Sequence, residues 1–243
     1  MENLLYVVFT SMFYTVLIGY IADSILRRYI RPDAVYFLLH VLLNSYIIAL
    51  TYTNFIEFIL NPFSSYTHYD YNSIKSSCVI IGFHIYHYIG AVLDFETKIH
   101  HIVTVFITGL ASIAVPAGIS IGAINFIMCG LPGGIDYILL ILLKYNIIHK
   151  LTEKNINRWL NLLIRMPGMM LCCWYIFLNI YYNKIQITKY IYTILGSILM
   201  LINSIYYCNK TVGNYHVRLV QYNKNDKHEK DKKLLSLSDK GIL

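Results

Sequence analysis

The sequence predicts an all-α integral membrane protein, a multi-pass bundle of about seven transmembrane helices. Three observations lead there. Of its 243 residues, 57% are hydrophobic and only 14% charged. The apolar residues gather into runs close to the ~20 residues that one helical crossing of a bilayer requires, rather than into the short periodic patches of a soluble core. Basic residues, finally, collect in alternate connections between the runs. With each crossing using about 20 residues, the chain has little length left for a soluble catalytic module, so any chemistry belongs in or beside the bilayer.

The expected spans, in order, are Leu4–Ala22, Val35–Leu60, Ile74–Leu93, His100–Val115, Ile119–Leu143, Gly168–Tyr182 and Ile191–Tyr207. No basic region precedes the first run and no small-residue cleavage site follows it, so it reads as a retained helix and not as a signal peptide. Arg27, Arg28 and Arg31 follow the first span and Lys98 the third. Lys150, Lys154, Arg158 and Arg165 follow the fifth, and a Lys-rich tail follows the seventh. The remaining connections carry few cations, with Lys75, Lys184 and Lys189 the exceptions, which predicts an N-terminus outside and a C-terminus in the cytosol. Residues 1–34 then form a first helix and a basic cytosolic loop, residues 35–208 the membrane domain, and residues 209–243 a basic tail. From Asn223 onward Lys alternates with Asp and Glu, the composition of a disordered segment. Within 150–165, Ile156, Trp159, Leu160 and Leu163 recur at helical spacing opposite Glu153, Lys154, Asn157 and Arg158, which predicts a helix lying in the cytosolic headgroup region. A plain solvated connector is the alternative there.

The net charge of +7 comes from loops and tail, so it implies orientation and attraction to anionic lipid, with no nucleic-acid partner. Cys78, Cys129, Cys172, Cys173 and Cys208 show no paired ligand spacing and read as free thiols. Association with further copies of the chain stays open.

Five histidines, His40, His84, His87, His100 and His101, lie within or at the edges of apolar runs. Charged side chains at the centre of a spanning helix cost about 2.5–3.5 kcal/mol on insertion scales, so a cluster of ionisable groups marks a cavity or a site. On a helix continued through the double histidine, Asp94, His101, Thr104 and Thr108 share one polar stripe while His100 points about 100° away. Only one of the two is then expected to face a given cavity. His84 and His87 with Asp94, His40 with Asn44, and Asn125 with Asp136 likewise return to one helix face each. Taken singly, His40, His84 and His87 suit helix-to-helix hydrogen bonds better than catalysis, and the headgroup boundary is the lesser alternative for His100 and His101. Asp136 follows the break Pro132-Gly133-Gly134, with no basic residue in its own span nearer than Lys144, and is expected to be protonated or to pair with a histidine. Broken helices at membrane depth line cavities. A di-iron centre needs about eight histidines in repeated pairs. Of the nine here, His68, His149, His216 and His228 fall in loops or tail, so no metal is expected.

The segment Lys98-Ile99-His100-His101-Ile102-Val103-Thr104, followed by a long apolar run, resembles the double-histidine motif of the TLC-domain family, the superfamily of the ceramide synthases and the translocating-chain-associated membrane protein. Gly133-Gly134-Ile135-Asp136-Tyr137 with Lys144, and Arg165-Met166-Pro167-Gly168, resemble later signatures of its smaller members. The resemblance covers residues 35–208. It implies a bundle of the endoplasmic reticulum around a lipid-sized cavity and a role in lipid homeostasis by binding, moving or modifying a membrane lipid; the polar faces read above give that cavity the lining His84, His87, Asp94, Thr104, Thr108 and Asn125. It also implies an alternative, a sphingoid-base N-acyltransferase with acyl-CoA as co-substrate and no cofactor, in which His100, His101 and Asp136 are catalytic. The segment 111–122 is apolar where ceramide synthases continue with polar residues, and only Asp136 remains of their aspartates. A non-enzymatic cargo receptor or translocation factor is the third reading.

Overall fold

The computed structural model describes residues 2–62, 70–90, 94–114, 117–182 and 190–238, and these are all-α. Seven helices are described: α1 (Glu2–Tyr29), α2 (Pro32–Leu60), α3 (Tyr71–Gly90), α4 (Phe95–Ala114), α5 (Ile119–Lys144), α6 (Lys150–Tyr181) and α7 (Tyr190–Ser238). All but α3 are long and apolar enough to cross a membrane. The chain is an integral membrane helix bundle. His68, Lys184, Lys189 and the expected span ends Leu93 and Val115 lie outside the described residues.

The helix α3 is the core of the bundle, with twelve of its twenty residues buried. Small residues allow that position. A Cβ on Gly82 would sit 2.8 Å from the carbonyl oxygen of Met12, so α1 and α3 touch backbone to backbone. On the side facing α2 and α5, serines replace apolar bulk with hydrogen bonds. Asn54 donates to Asp70 Oδ1 at 2.6 Å and to Ser73 Oγ at 2.9 Å, and the Gly122 N–H reaches the same hydroxyl at 3.0 Å. Asn125 donates to Ser76 and Ser77 at 2.8 and 2.9 Å. Buried in the bundle, each such polar group finds its partner inside the protein.

At the other end of the bundle, Arg31 Nη1 donates to the Lys144 carbonyl at 2.9 Å and Lys144 lies 3.4 Å from Asp33, tying the α1–α2 joint to the end of α5. The turn after α5 is a Schellman closure, with Ile147 N–H to Leu142 O at 2.9 Å and Asn146 in the left-handed region at φ 57°. There too α7 meets the start of α4, where Tyr206 and Lys210 both donate to Glu96.

The helix α6 corrects the sequence reading of residues 150–165. It is neither a separate surface helix nor a connector but the first part of one helix running Lys150–Tyr181. Its orientation is the inverse of a soluble amphipathic helix: Glu153, Asn157 and Asn161 are buried, while Ile156, Trp159 and Leu163 are exposed. In a bilayer the outside is the apolar phase, so the polar face turns inward.

Three helices widen locally into π turns, at Thr104–Gly109 in α4, Phe126–Gly130 in α5 and Asn161–Arg165 in α6. Two of the three end just before a proline, Pro132 and Pro167. Proline cannot donate to the fourth residue back and its ring crowds that carbonyl. The wider turn absorbs the crowding. The expected break at Pro132-Gly133-Gly134 is therefore a bulge in a continuous helix.

The last helix corrects the expectation of a disordered tail, because α7 continues without interruption to Ser238. After Gly213 no glycine or proline intervenes before Gly241, and Lys, Glu, Gln and Leu are good helix formers. Tyr215 stacks on Arg158 with the guanidinium 4.0 Å from its ring centre, and Tyr222 lies 5.7 Å from the His149 ring, so this stretch packs beside the start of α6.

Candidate functional site

A chamber of about 310 Å³ lies inside the bundle, and all five of the singled-out histidines line it. His40 comes from α2, His84 and His87 from α3, His100 and His101 from α4. The rings of His84 and His101 are 4.6 Å apart, His100 and His101 5.8 Å, and His87 and His101 6.0 Å. His40 is sandwiched between His87 at 4.6 Å and Tyr137 at 4.0 Å, nearly parallel to both.

Both members of the double histidine face this one chamber, contrary to the expectation that only one does. The chamber spreads between α3 and α7, which flank α4 on two sides. His101 turns to His84 on α3, and His100, with its ring 5.7 Å from Tyr207, turns to α7. Two faces 100° apart on α4 thus open on the same space.

Backbone carbonyls orient three of the rings. His40 Nδ1 lies 2.7 Å from Tyr36 O, His84 Nδ1 2.7 Å from Ile80 O, and His101 Nδ1 2.8 Å from Thr97 O. A carbonyl only accepts, so each Nδ1 bears the hydrogen, and in the neutral ring Nε2 is left with its lone pair. These bonds run within each histidine's own helix, not between helices. His87 is 2% exposed, and its Nε2 is buried with no partner.

Asp136 on α5 and Arg165 on α6 also line the chamber. Asn157 Nδ2 donates to Asp136 Oδ1 at 2.6 Å, Asn161 Nδ2 donates to Asn157 Oδ1 at 2.7 Å, and Arg165 Nη1 donates to Asn161 Oδ1 at 2.9 Å. Two asparagines therefore stand between carboxylate and guanidinium. No hydrogen bond joins Asp136 to an imidazole, so the orienting role expected of it belongs to the backbone carbonyls.

The other expected residues divide. Thr104 lines the chamber, and Thr108 lines apolar hollows beside it. Asn125 donates to the serines of α3 and lines the smaller apolar hollow with Thr104 and Thr108. Asp94 is not on the polar stripe of α4. It caps the helix from outside, accepting Thr97 N–H at 2.7 Å, a bond that holds its carboxyl below the usual carboxylate range. The five cysteines are free thiols. Among the described residues no group of three His, Cys, Asp or Glu side chains is arranged to hold a metal ion. Parallel stacking of His40 and His87 keeps their nitrogens from converging on one point.

Sequence reasoning missed Tyr36, Tyr137, Tyr207 and the polar row Asn157, Asn161, Arg165. The row is visible as polar residues four apart in a helix, but a helix lying in the headgroup region would turn that polar face to water and not into the bundle.

A second hollow of about 310 Å³ shares His100, Thr104, Met128, Asn203 and Tyr207 with the chamber wall and runs between α4 and α7. Its rim includes Ile99, Ile202 and Tyr206, all exposed on the outer surface of the bundle. A third, smaller apolar hollow of about 70 Å³ continues past Thr108 and Met200.

Fold and site together define an integral membrane bundle enclosing a histidine-lined chamber with an apolar groove at its side. No protein-family model, curated protein sequence or solved structure matches the chain.

Proposed function

We propose that the chain is a lipid-handling membrane protein acting in lipid homeostasis, which takes the head of a membrane lipid into the histidine chamber and its acyl chain into the α4–α7 groove. The observation that carries this is the shared wall: a polar chamber and an apolar groove meet at His100, Thr104, Met128, Asn203 and Tyr207. An amphiphile has the same division. Lipid tails are as apolar as the groove, so moving a chain from bilayer to groove supplies little driving force. Selection then rests on polar contacts in the chamber. On this reading the chain is a TLC-like protein of the endoplasmic reticulum that binds, moves or modifies its lipid, with the basic helix ends in the cytosol. Purification in mild detergent followed by mass spectrometry of extracted lipid tests it. A defined lipid at near-stoichiometric amount is expected. Purified protein free of lipid, together with an unchanged lipid profile in membranes lacking the protein, would leave only the receptor or translocation-factor class.

A second reading, transfer of an acyl group from acyl-CoA to a lipid amine, is favoured by the oriented imidazoles. His101 or His84 has a lone pair at Nε2 with Nδ1–H anchored, the form a general base requires. The amine nitrogen would attack the thioester carbonyl while Nε2 takes its proton. The C–S bond would then break, and the thiolate would leave with that proton. Turnover of acyl-CoA with a sphingoid base by the purified protein, lost in His101→Ala, is the expected result under this reading. Absence of turnover with lipid still bound leaves the first.

A further inference from the structure

Two groups of opposite charge in the chamber wall have unused bonding capacity, and the protein keeps them apart. Arg165 spends one nitrogen, Nη1, on Asn161. Its Nε is buried without a partner. Asp136 spends one oxygen, Oδ1, on Asn157. In a medium of low dielectric, a guanidinium and a carboxylate so near each other gain most by pairing directly. The row Asp136, Asn157, Asn161, Arg165 prevents this, because Asn157 and Asn161 lie one turn apart on α6 and pass a single hydrogen-bond chain from one charge to the other. The edge of Arg165 that carries Nε is the fork that grips two oxygens of one acidic group. The free oxygen of Asp136 accepts, and what it lacks is a donor.

From this separated pair we infer that the chamber selects a zwitterionic lipid head carrying both an acidic oxyanion and an ammonium N–H, the oxyanion seated on the Arg165 fork and the ammonium on Asp136. The inference rests on the lipid-handling reading and narrows its ligand class. A head with an anion alone would face Asp136 uncompensated, and a quaternary ammonium would offer Asp136 no donor. The same head chemistry exists on a lipid and in water, so chain-bearing and chain-free forms must be compared.

The test uses the full-length protein in phosphatidylcholine nanodiscs doped equally with phosphatidylethanolamine and phosphatidylglycerol, with bound lipid identified by native mass spectrometry, and soluble phosphoethanolamine as a separate arm. The expected result is enrichment of phosphatidylethanolamine over both other lipids by roughly tenfold or more, the scale of one charge-assisted hydrogen bond. Arg165→Gln should lower the amount of all three lipids bound by roughly tenfold, since each carries the phosphate that the fork grips. Asp136→Asn should make phosphatidylethanolamine and phosphatidylglycerol bind alike. Should Arg165→Gln fail to fold, Arg165→Lys retains the charge without the fork and should still lose most of that binding. Lipids bound in proportion to their doping, a level of binding unchanged in Arg165 variants that fold, or a preference unchanged in Asp136→Asn, overturns the inference while leaving the lipid-handling reading in place. Phosphoethanolamine binding as tightly as the lipid, with the same dependence on both residues, upholds the head-group assignment and sinks the lipid-handling reading instead.

Discussion

At the scale of single residues, the chamber is built from side chains whose remaining bonding capacity points inward. His101 uses Nδ1 on Thr97 O and is 5% exposed. Replacing it by Ala removes one polar contact worth about 0.5–2 kcal/mol in a membrane bundle, so folding and insertion are expected to survive. If Nε2 is a general base, turnover should nonetheless fall by roughly 10²–10⁴-fold. Fluorescence-detected size exclusion alongside an acyl-CoA assay separates the two effects. Asp94 behaves differently because it sits outside the chamber. Its carboxyl is held low by Thr97 N–H, so the stabilisation of α4 is fully present above the unfolded value of about 4 and is lost as pH falls through the lowered folded value. Asp94→Asn keeps the cap and should abolish that acid dependence of amide exchange at the start of α4. An unchanged dependence would show that another group causes it. The histidines were legible in the sequence because each is conspicuous against its apolar run. Asp94 was misread for an instructive reason: spacing places a residue on a face only while the helix continues, and Asp94 is where α4 begins.

At the scale of the element, the sequence showed which segments are helical and concealed how two of them face. The amphipathic pattern of 150–165 pointed to a helix in the headgroup region with its polar face in water, yet Asn161 is fully buried while Trp159 and Leu163 are exposed. Hydrophobic periodicity gives the stripe, and the surrounding phase decides which side is in. The π turns were not legible either, since the crowding at Pro132 and Pro167 could equally have broken the helices. All three π segments contribute residues to the chamber wall, namely Thr104, Met128 with Cys129, and Arg165. An extra residue inserted in a helix re-aims the side chains of the next turns, which suits a site formed where several helices meet. The α1–α3 contact offers a direct test of packing at this scale. Any Cβ at Gly82 meets a backbone oxygen at 2.8 Å and Thr15 at 3.0 Å, neither of which can swing aside. Gly82→Val should therefore force the two helices apart and destabilise the protein by about 1–3 kcal/mol. A melting temperature in detergent equal to that of the unmodified protein would contradict the packing.

At the scale of the whole molecule, the ends of the helices sort by charge. The ends carrying Arg27, Arg28, Arg31, Lys144, Lys150 and Lys154 are brought together by the contacts of Arg31 with Lys144 and of Tyr222 with His149, and α7 extends beyond them. The opposite end is joined through Asn54, Asp70 and Gly122, and among the described residues there Glu57 and Asp70 are balanced by few cations, Lys75 among them. One basic end and one neutral end is the distribution that fixes insertion, with the basic end retained on the cytosolic side. The same geometry places the chamber, lined by the His100-His101 turn at the start of α4 and by Asp136 towards the end of α5, on the basic side of the bundle's middle. The native cysteines are buried or half-buried, so an added surface cysteine reports its own side. Asn225→Cys on α7 is expected to react with a membrane-impermeant maleimide from the cytosolic face, and Asn61→Cys, just after α2, only from the opposite face. Labelling of both positions from the cytosolic face would mean that α2 and α7 end on one side, which is incompatible with the antiparallel order that these contacts impose.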